Sequence, residues 1–390
     1  MEAIYRREAS VRIVLYEWCC SGGLHTTGIE KSLRDVQGSS SAIVGGHAQR
    51  IATEGRAMLE SLAHDATRDA SLDITVLLDE RWDPVGRALS LPACVRVRKV
   101  LVGTEIETLC AEAVQADWTL IVAPETAGIL LSRVAAVRHA GGRVAAPSEK
   151  FIALATDKQA TVLALAAAGV PVPAGCVLDA TEPLPAGFYL PAVRKARASV
   201  GCDGLSIARS ALPTSTAKQD SQRVEAFIEG VAVGVSCLCG PESVVLLPPV
   251  LQRFSTEDAF DYLGGKLPIA EQLRSRAEDL ARRAIAGLAV CAQAGVAKPM
   301  RQAPVVSGWV GVDMILGRRD DGSGDRVLEV NPRLTTSFVG LRHLLSKSLV
   351  RAILDRADGQ VATLRMVDRA DQSIEFDKDG AVRFHNATTE

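Results

Sequence analysis

No charge of either sign dominates this chain: 44 Lys and Arg stand against 46 Asp and Glu, for a net charge of -2. A generally basic nucleic-acid-binding surface is thereby excluded. With 47% hydrophobic and 23% charged residues, so is disorder. Long hydrophobic runs are also missing. Met1 to Ser10 is charged and mixed, and the apolar stretch from Val11 to Tyr16 is far shorter than a signal-peptide core or a membrane span. The expectation is a cytoplasmic protein with no membrane partner and no nucleic-acid partner.

The nine cysteines, an odd number, include no CxxC pair, and the six histidines fall without metal-ligand spacing. Zinc and a disulfide framework are therefore not expected, and reduced, mostly buried thiols are. No internal repeat is evident. Nor does a GxGxxG sit at the first strand-helix junction, where Cys20-Ser-Gly-Gly-Leu stands instead; this argues against an NAD(P)-dependent dehydrogenase.

What is present is length and pattern. At 390 residues the chain fits two or three domains, each able to bury a core. In the first third, apolar runs at Val11 to Tyr16, Ile74 to Leu78, Val95 to Arg98, Thr119 to Ala123 and Arg143 to Ala146 predict strands. Helical patterns at Ala42 to His64, Glu105 to Gln115 and Gly128 to His139 lie between them. Such alternation implies a doubly wound α/β domain with a parallel sheet, ending near Pro147.

Ala155 to Ala168 then reads as a helix, with Thr156 as its N-cap and GVPVP as its stop. Beyond it the pattern turns to an α+β one. Strands are expected at Phe188 to Lys195, Leu205 to Ala208, Val224 to Ile228, Val231 to Cys239 and Val244 to Val250. Ala211 to Gln222 is a loop or a short weak helix. Ile269 to Ala292 and Leu341 to Leu354 read as helices, Trp309 to Leu316 and Arg326 to Val330 as two strands joined by GRRDDGSGD, and the tail after Val361 carries no identifiable chemistry.

That hairpin holds the strongest constellation. Glu329 and Asn331 are two positions apart and project to one face of their strand, where Asp313 on the neighbouring strand can join them. Asp and Asn fit strand interiors poorly, so their place among Val, Met, Ile and Leu needs a reason. Three oxygen-bearing side chains suit a hard cation such as Mg2+, which binds through one or two carboxylates together with substrate phosphates. Arg333 would add a planar five-donor fork near the same phosphates. Lys158, in the first turn of its helix, can meet an anionic phosphate together with the donors of that helix end. Lys195 ends a strand and is followed by ARASVGCDGLS, where Ser199, Gly201 and Gly204 allow a close backbone approach and a lid over phosphates. The run Glu225-Ala226-Phe227-Ile228-Glu229-Gly230 predicts a strand and bend whose backbone can bond an adenine edge, with Phe227 and Ile228 as apolar cover. Glu17, Gly22 and Gly23 follow the first strand, where open α/β sheets bind ligands.

Taken in order, these elements resemble the ATP-grasp superfamily over roughly Ala155 to Leu341, with EVNPR the most specific single element. The resemblance implies a pre-ATP-grasp α/β domain over 1–147, an ATP-grasp small lobe and hinge over 148–230, and a large lobe with the metal site over 231–390. It implies that Lys158 and Lys195 bind ATP phosphates and that Ser199 to Gly204 forms the phosphate loop. The backbone at Ala226 and Ile228 would hold adenine with the Glu225 carboxylate beside it, and Asp313, Glu329 and Asn331 would bind Mg2+, or Mn2+ in its place. Arg333 would stabilise the reaction intermediate, acting with Lys195. Two positions depart from related peptide ligases: Ala232 stands where a ribose-binding Glu is common, leaving Glu229 as a substitute, and Gly311 stands where some relatives carry an Arg.

The implied activity is an ATP-dependent ligase that activates a small-molecule carboxylate as an acyl phosphate and joins it to an amine, in a chain that can form a homodimer. VLYEWCCSGG, EGRAMLESLAHD, LLDERW and FDYLGGKLP look like the tyramine-glutamate ligase type from methanofuran biosynthesis. Another ATP-grasp amino-acid or peptide ligase would share every ATP-site residue. A non-catalytic nucleotide sensor is hinted at by Ala232 and Gly311, against the intact metal set.

Overall fold

A computed structural model describes residues 10–26, 41–82, 89–179, 181–197, 205–210, 221–255, 261–294, 305–362, 364–367 and 372–386. The N-terminal layer is a parallel sheet of β1 (Val11–Glu17), β2 (Leu72–Asp79), β3 (Arg96–Val100) and β4 (Trp118–Val122) in the order β3-β2-β1-β4. Strand β1 is buried from Ile13 onward, which is why it reads as a continuous apolar run rather than an alternation. Ile13 and Leu15 share an apolar cluster with Leu59 and Leu62 of helix α1 (Ser41–Ala66). Val14 and Tyr16 share another with Leu109 of α2 (Glu105–Gln115) and Val134 of α3 (Ile129–His139). Helices therefore cover both faces, as the alternating pattern implies. The strand expected at Arg143 to Ala146 shrinks to one parallel bridge between Thr119 and Val144. Gly141 and Gly142 before it and the donor-less Pro147 after it leave too little chain to pair.

Two further sheets follow. In the smaller, β5 (Gly175–Leu178), β6 (Ala192–Ala196), β7 (Ser206–Ala208) and β8 (Gln222–Ala226) run antiparallel in the order β5-β8-β6-β7. The larger contains β9 (Gly230–Cys239), β10 (Val244–Leu246), β11 (Val250–Phe254), β12 (Tyr262–Leu267), β13 (Gly308–Gly317), β14 (Arg326–Asn331), β15 (Gln372–Asp377) and β16 (Val382–Asn386). Its main path is β14-β13-β9-β11-β12-β15-β16. One face of this sheet packs on α6 (Glu271–Gln293), with Leu280, Ala284 and Leu288 in a cluster with Val233, Val310 and Met314. Leu238, Trp309 and Phe376 belong to the same core as Leu59 and Leu62, so the large sheet and the N-terminal layer share one apolar interior.

Several local expectations change. The helix expected from Ala155 is two helices, α4 (Glu149–Thr156) and α5 (Lys158–Ala167), and the cap is Asp157 rather than Thr156. The Asp157 carboxylate accepts from the amides of Gln159 at 2.9 Å and Ala160 at 3.2 Å, whereas Thr156 still belongs to the preceding helix. Val244 to Val250 is interrupted because Pro248 and Pro249 remove two donors. The strand expected from Phe188 begins only at Ala192, after Pro191. The helix expected from Leu341 starts at Leu349 (α7, Leu349–Ala357), where the Ser348 hydroxyl accepts from the Arg351 amide. The tail adds the β15–β16 hairpin to the large sheet through β12. Among the described residues no helix is long and apolar enough to cross a membrane.

Candidate functional site

A cavity of about 560 Å3 lies between the small sheet and one face of the large one. The two-residue period of the strands supplies its walls. Ala232, Gly234 and Ser236 face it from β9, Gly311, Asp313 and Ile315 from β13, and Val250, Gln252 and Phe254 from β11. Lys158, Lys195, Glu225 and the hinge from Ala226 to Gly230 close the opposite side.

In the β13–β14 ladder Asp313 pairs with Glu329 and Gly311 with Asn331, and a bulge follows Asp313. Asp313, Glu329 and Asn331 thus share the cavity. Asp313 accepts from Asn331 Nδ2 at 2.7 Å and from Gln252 Nε2 at 2.7 Å. Gly234 makes room for this: a Cβ there would stand 3.1 Å from Asp313 Oδ1 and 3.2 Å from Gln252 Nε2. Burial, and then the charge of Glu329, pushes the Asp313 carboxyl up to about 7. Glu329 moves the other way. Burial opposes its ionisation, but Lys158, with Nζ 2.8 Å from Oε2, and Lys195 outweigh that and hold it below the usual carboxylate range.

Two half-buried carboxylates and an amide oxygen on one wall form an oxygen-only donor set, and the raised Asp313 pKa is the strain that a divalent cation would relieve. Among the described residues no group of three or more His, Cys, Asp or Glu is arranged to hold a metal. Two carboxylates fit Mg2+ rather than zinc, because Mg2+ keeps waters and takes other ligands from phosphates.

Both lysines are almost fully buried, Lys158 at 6% and Lys195 at 5% exposure. A buried ammonium is stable only when paired. Lys195 Nζ lies 2.6 Å from Glu225 Oε1 and donates to the Leu328 carbonyl at 3.3 Å, while Arg223 Nε holds the other Glu225 oxygen at 2.9 Å. Glu225 lines the cavity, but its carboxylate is committed to these two cations, so it positions Lys195. At Lys158 the helix-end donors expected to meet phosphate are taken by Asp157, leaving the side chain alone to do so. The Ala226 amide donates to the Ala174 carbonyl and the Phe227 amide to that of Pro191. An adenine donor bond from the Ala226 N–H is therefore ruled out. The Ile228 N–H makes no backbone bond among the described residues. Ser199, Gly201 and Gly204 lie outside the described residues.

Arg333 lines the cavity while its Nε stands 2.9 Å from Glu125 Oε1, without hydrogen-bond geometry, and its Nη1 donates to the Leu334 carbonyl at 3.0 Å. Burial acts to lower its pKa, but Glu125 and Glu54 raise it overall. Gly311 has no room for the Arg of some relatives, since a Cβ there would stand 2.5 Å from Thr335 Cγ2. Ala232 and Glu229 both line the cavity, with Glu229 Oε2 3.5 Å from Arg318 Nη2.

Glu17, Gly22 and Gly23 are not among the lining residues. The Glu17 carboxylate is buried, accepts from the Cys20 amide at 2.8 Å and lies under Gly55, where a Cβ would overlap it. Burial pushes this carboxyl up to about 7. Gly22 and Gly23 lie against Asp79 and Trp18. Three residues were given no site role in the sequence: Gln252, Glu54 and Glu125. Glu125 carried a usable signal, for it follows the carboxyl end of the parallel strand β4, the kind of position that places ligand-side residues in open sheets.

A four-stranded parallel layer followed by two antiparallel sheets around a cleft defines a two-lobed cleft protein with a leading α/β domain. The family model of the ATP-grasp domain matches residues 155–337, and that of the pre ATP-grasp 3 domain matches 72–152. The chain is an ATP-grasp protein, with a pre-ATP-grasp domain ahead of its ATP-grasp domain. An ATP-grasp superfamily protein from Archaeoglobus fulgidus superposes with a TM-score of 0.60 at 21% identity, over 94% of this chain and 92% of that one. Biotin carboxylase from Campylobacter jejuni gives 0.60 at 15% identity, over 82% and 72%. L-amino acid ligase from Bacillus licheniformis gives 0.56 at 13%, over 81% and 76%. At such identities the likeness concerns the fold. Among curated proteins none matches this chain in sequence.

Proposed function

We propose that this protein is an ATP-dependent ligase that joins a small-molecule carboxylate to an amine through an acyl phosphate. The observation that carries the reading is the convergence, in the cleft of an ATP-grasp domain, of Asp313, Glu329 and Asn331 with the buried cations Lys158 and Lys195. Ribose and adenine would lie toward Phe227, Ile228 and Ile315, with the Ile228 amide as hinge donor. Mg2+ held by Asp313, Glu329 and Asn331 would supply the charge neutralisation that phosphoryl transfer needs.

The protein's own groups account for the rest. Lys158 exchanges its contact with Glu329 for a phosphate oxygen, and Lys195, positioned by Glu225, takes a second. The substrate carboxylate attacks the γ-phosphorus, the bond to the β-phosphate oxygen breaks, and ADP leaves. The amine, having lost its ammonium proton to solvent, then attacks the acyl carbon; the oxyanion that forms is stabilised by Arg333, and its collapse expels phosphate, which takes up the further proton released from nitrogen.

For the substrates, the N-terminal motifs favour L-glutamate and an aryl-ethylamine such as tyramine. The test is ADP release with Mg-ATP and L-glutamate against a panel of amines that includes tyramine, with mass spectrometry of the product. Amine-dependent ADP and an amide of matching mass are expected. ATP binding with no amine-dependent turnover across the panel would overturn the substrate assignment, and no Mg-ATP binding at all would overturn the function.

A further inference from the structure

We propose that Glu54 is the recognition point for a protonated amine, on a wall of the cavity supplied by the N-terminal layer. The proposal rests on the ligase reading and deepens it, by giving the acceptor a charge and a place.

Among the described lining residues, Glu54 alone comes from the N-terminal layer; all others lie at Lys158 or beyond. The remaining charges of the site are already matched. Lys158 faces Glu329, Lys195 and Arg223 share Glu225, and Arg333 stands against Glu125. Asp313 belongs to the oxygen donor set described above. Glu54 is left over: among the described residues no cation lies within ion-pair distance of it, and its one bond is to a neutral donor, the Thr336 hydroxyl, which donates to Oε1. Its charge is felt by Arg333, yet that guanidinium is nearer Glu125.

The surroundings favour a cation over an anion. Ser236, Thr335 and Ser337 line the same cavity and bond among themselves, Ser236 Oγ to Ser337 Oγ at 2.8 Å and Thr335 Oγ1 to Ser337 Oγ at 2.7 Å, which gives a polar but uncharged floor beside Thr336. A carboxylate in such a wall attracts an ammonium, which donates three hydrogen bonds, and repels a second carboxylate. Val250, opposite Gly234 on β9 and so next to the level of Ser236, lines the same cavity and offers apolar cover for the body of such an amine. Glu54 is held in place from behind. Its neighbour Gly55 lets α1 lie directly on the buried Glu17 carboxylate, so the helix position, and with it Glu54, depends on a contact outside the cavity.

The experiment uses the full chain loaded with Mg2+ and a non-hydrolysable ATP analogue, and compares binding of 2-phenylethylammonium with the neutral 2-phenylethanol by calorimetry. Wild type should prefer the cation by about tenfold, the effect of one partly shielded charge. Glu54→Gln should reduce that preference to about twofold or less with the affinity for the alcohol unchanged, and Glu54→Asp should keep it. A preference that survives Glu54→Gln, its absence in wild type, or equal loss in both variants would overturn the proposal, the last by assigning the effect to packing. Hydroxamate formation from L-glutamate, Mg-ATP and hydroxylamine by wild type tests the ligase reading separately. A cation preference without hydroxamate supports the subsite and counts against L-glutamate as the carboxylate, while the ligase reading itself falls if Mg-ATP does not bind.

Discussion

Replacing Asp313 by Asn should make the empty protein more stable at pH 8 while removing its turnover. Burial and the neighbouring charge of Glu329 lift the Asp313 carboxyl from 3.8 to about 7 in the folded protein. A carboxyl whose pKa is raised on folding binds its proton more tightly folded than unfolded, so stability is greatest below the unfolded value and declines as pH rises from there to about 7. A difference of about three pH units corresponds to roughly 4 kcal/mol at most. The introduced amide has one acceptor oxygen in place of two, so one of the bonds from Gln252 and Asn331 is lost, at about 1 kcal/mol. The variant should therefore gain roughly 2–3 kcal/mol at pH 8 but only about 0.5 kcal/mol at pH 5, where little more than one pH unit separates the solution from the unfolded pKa. Urea unfolding at both pH values, without metal or nucleotide, reads this directly. Saturating Mg-ATP should reverse the ranking at pH 8, because only the wild type gains the full binding free energy. A variant no more stable than wild type at pH 8, or a difference independent of pH, would refute the reasoning.

Removing the Lys158 ammonium with Lys158→Met leaves the half-buried Glu329 without the partner now 2.8 Å away. The empty protein should lose about 3 kcal/mol or more, and Mg2+ alone should restore more of the thermal midpoint than it adds to wild type; an unchanged midpoint counts against the pairing. Gly55→Ala drives a Cβ into the Glu17 carboxylate, and although Ala favours the helix, the overlap should destabilise the protein by about 1–3 kcal/mol. Adding Glu17→Ala should recover most of that loss in a double-mutant cycle, whereas additive effects would show that the two residues do not touch.

What the sequence made legible is what depends on short-range periodicity. The facing of Asp313 and Glu329 follows from a two-residue repeat within one hairpin, and the both-sided burial of β1 from an unbroken apolar run. Gln252, Glu54 and Glu125 were not legible because each reaches the site from a different element, brought there by the order of the sheets and by the docking of α1, which no local spacing encodes. Asp157 displaced Thr156 as a cap because Thr156 is the last residue of α4, a helix the sequence reading did not separate from α5. Glu17 was read as facing a ligand because it follows a parallel strand, yet it lies beneath Gly55. The β15–β16 hairpin went unseen because its alternation is short and polar, and its partner β12 lies about a hundred residues earlier.

The central claim is that the substrate carboxylate attacks the γ-phosphorus of ATP. The direct measurement is oxygen transfer: L-glutamate labelled with 18O in its γ-carboxylate is incubated with Mg-ATP, tyramine and the full chain, and the released phosphate is examined by mass spectrometry. One 18O atom per phosphate, appearing only with both substrates present, is the predicted result. ADP and amide formed with unlabelled phosphate would contradict an acyl phosphate, and with it this account of the site.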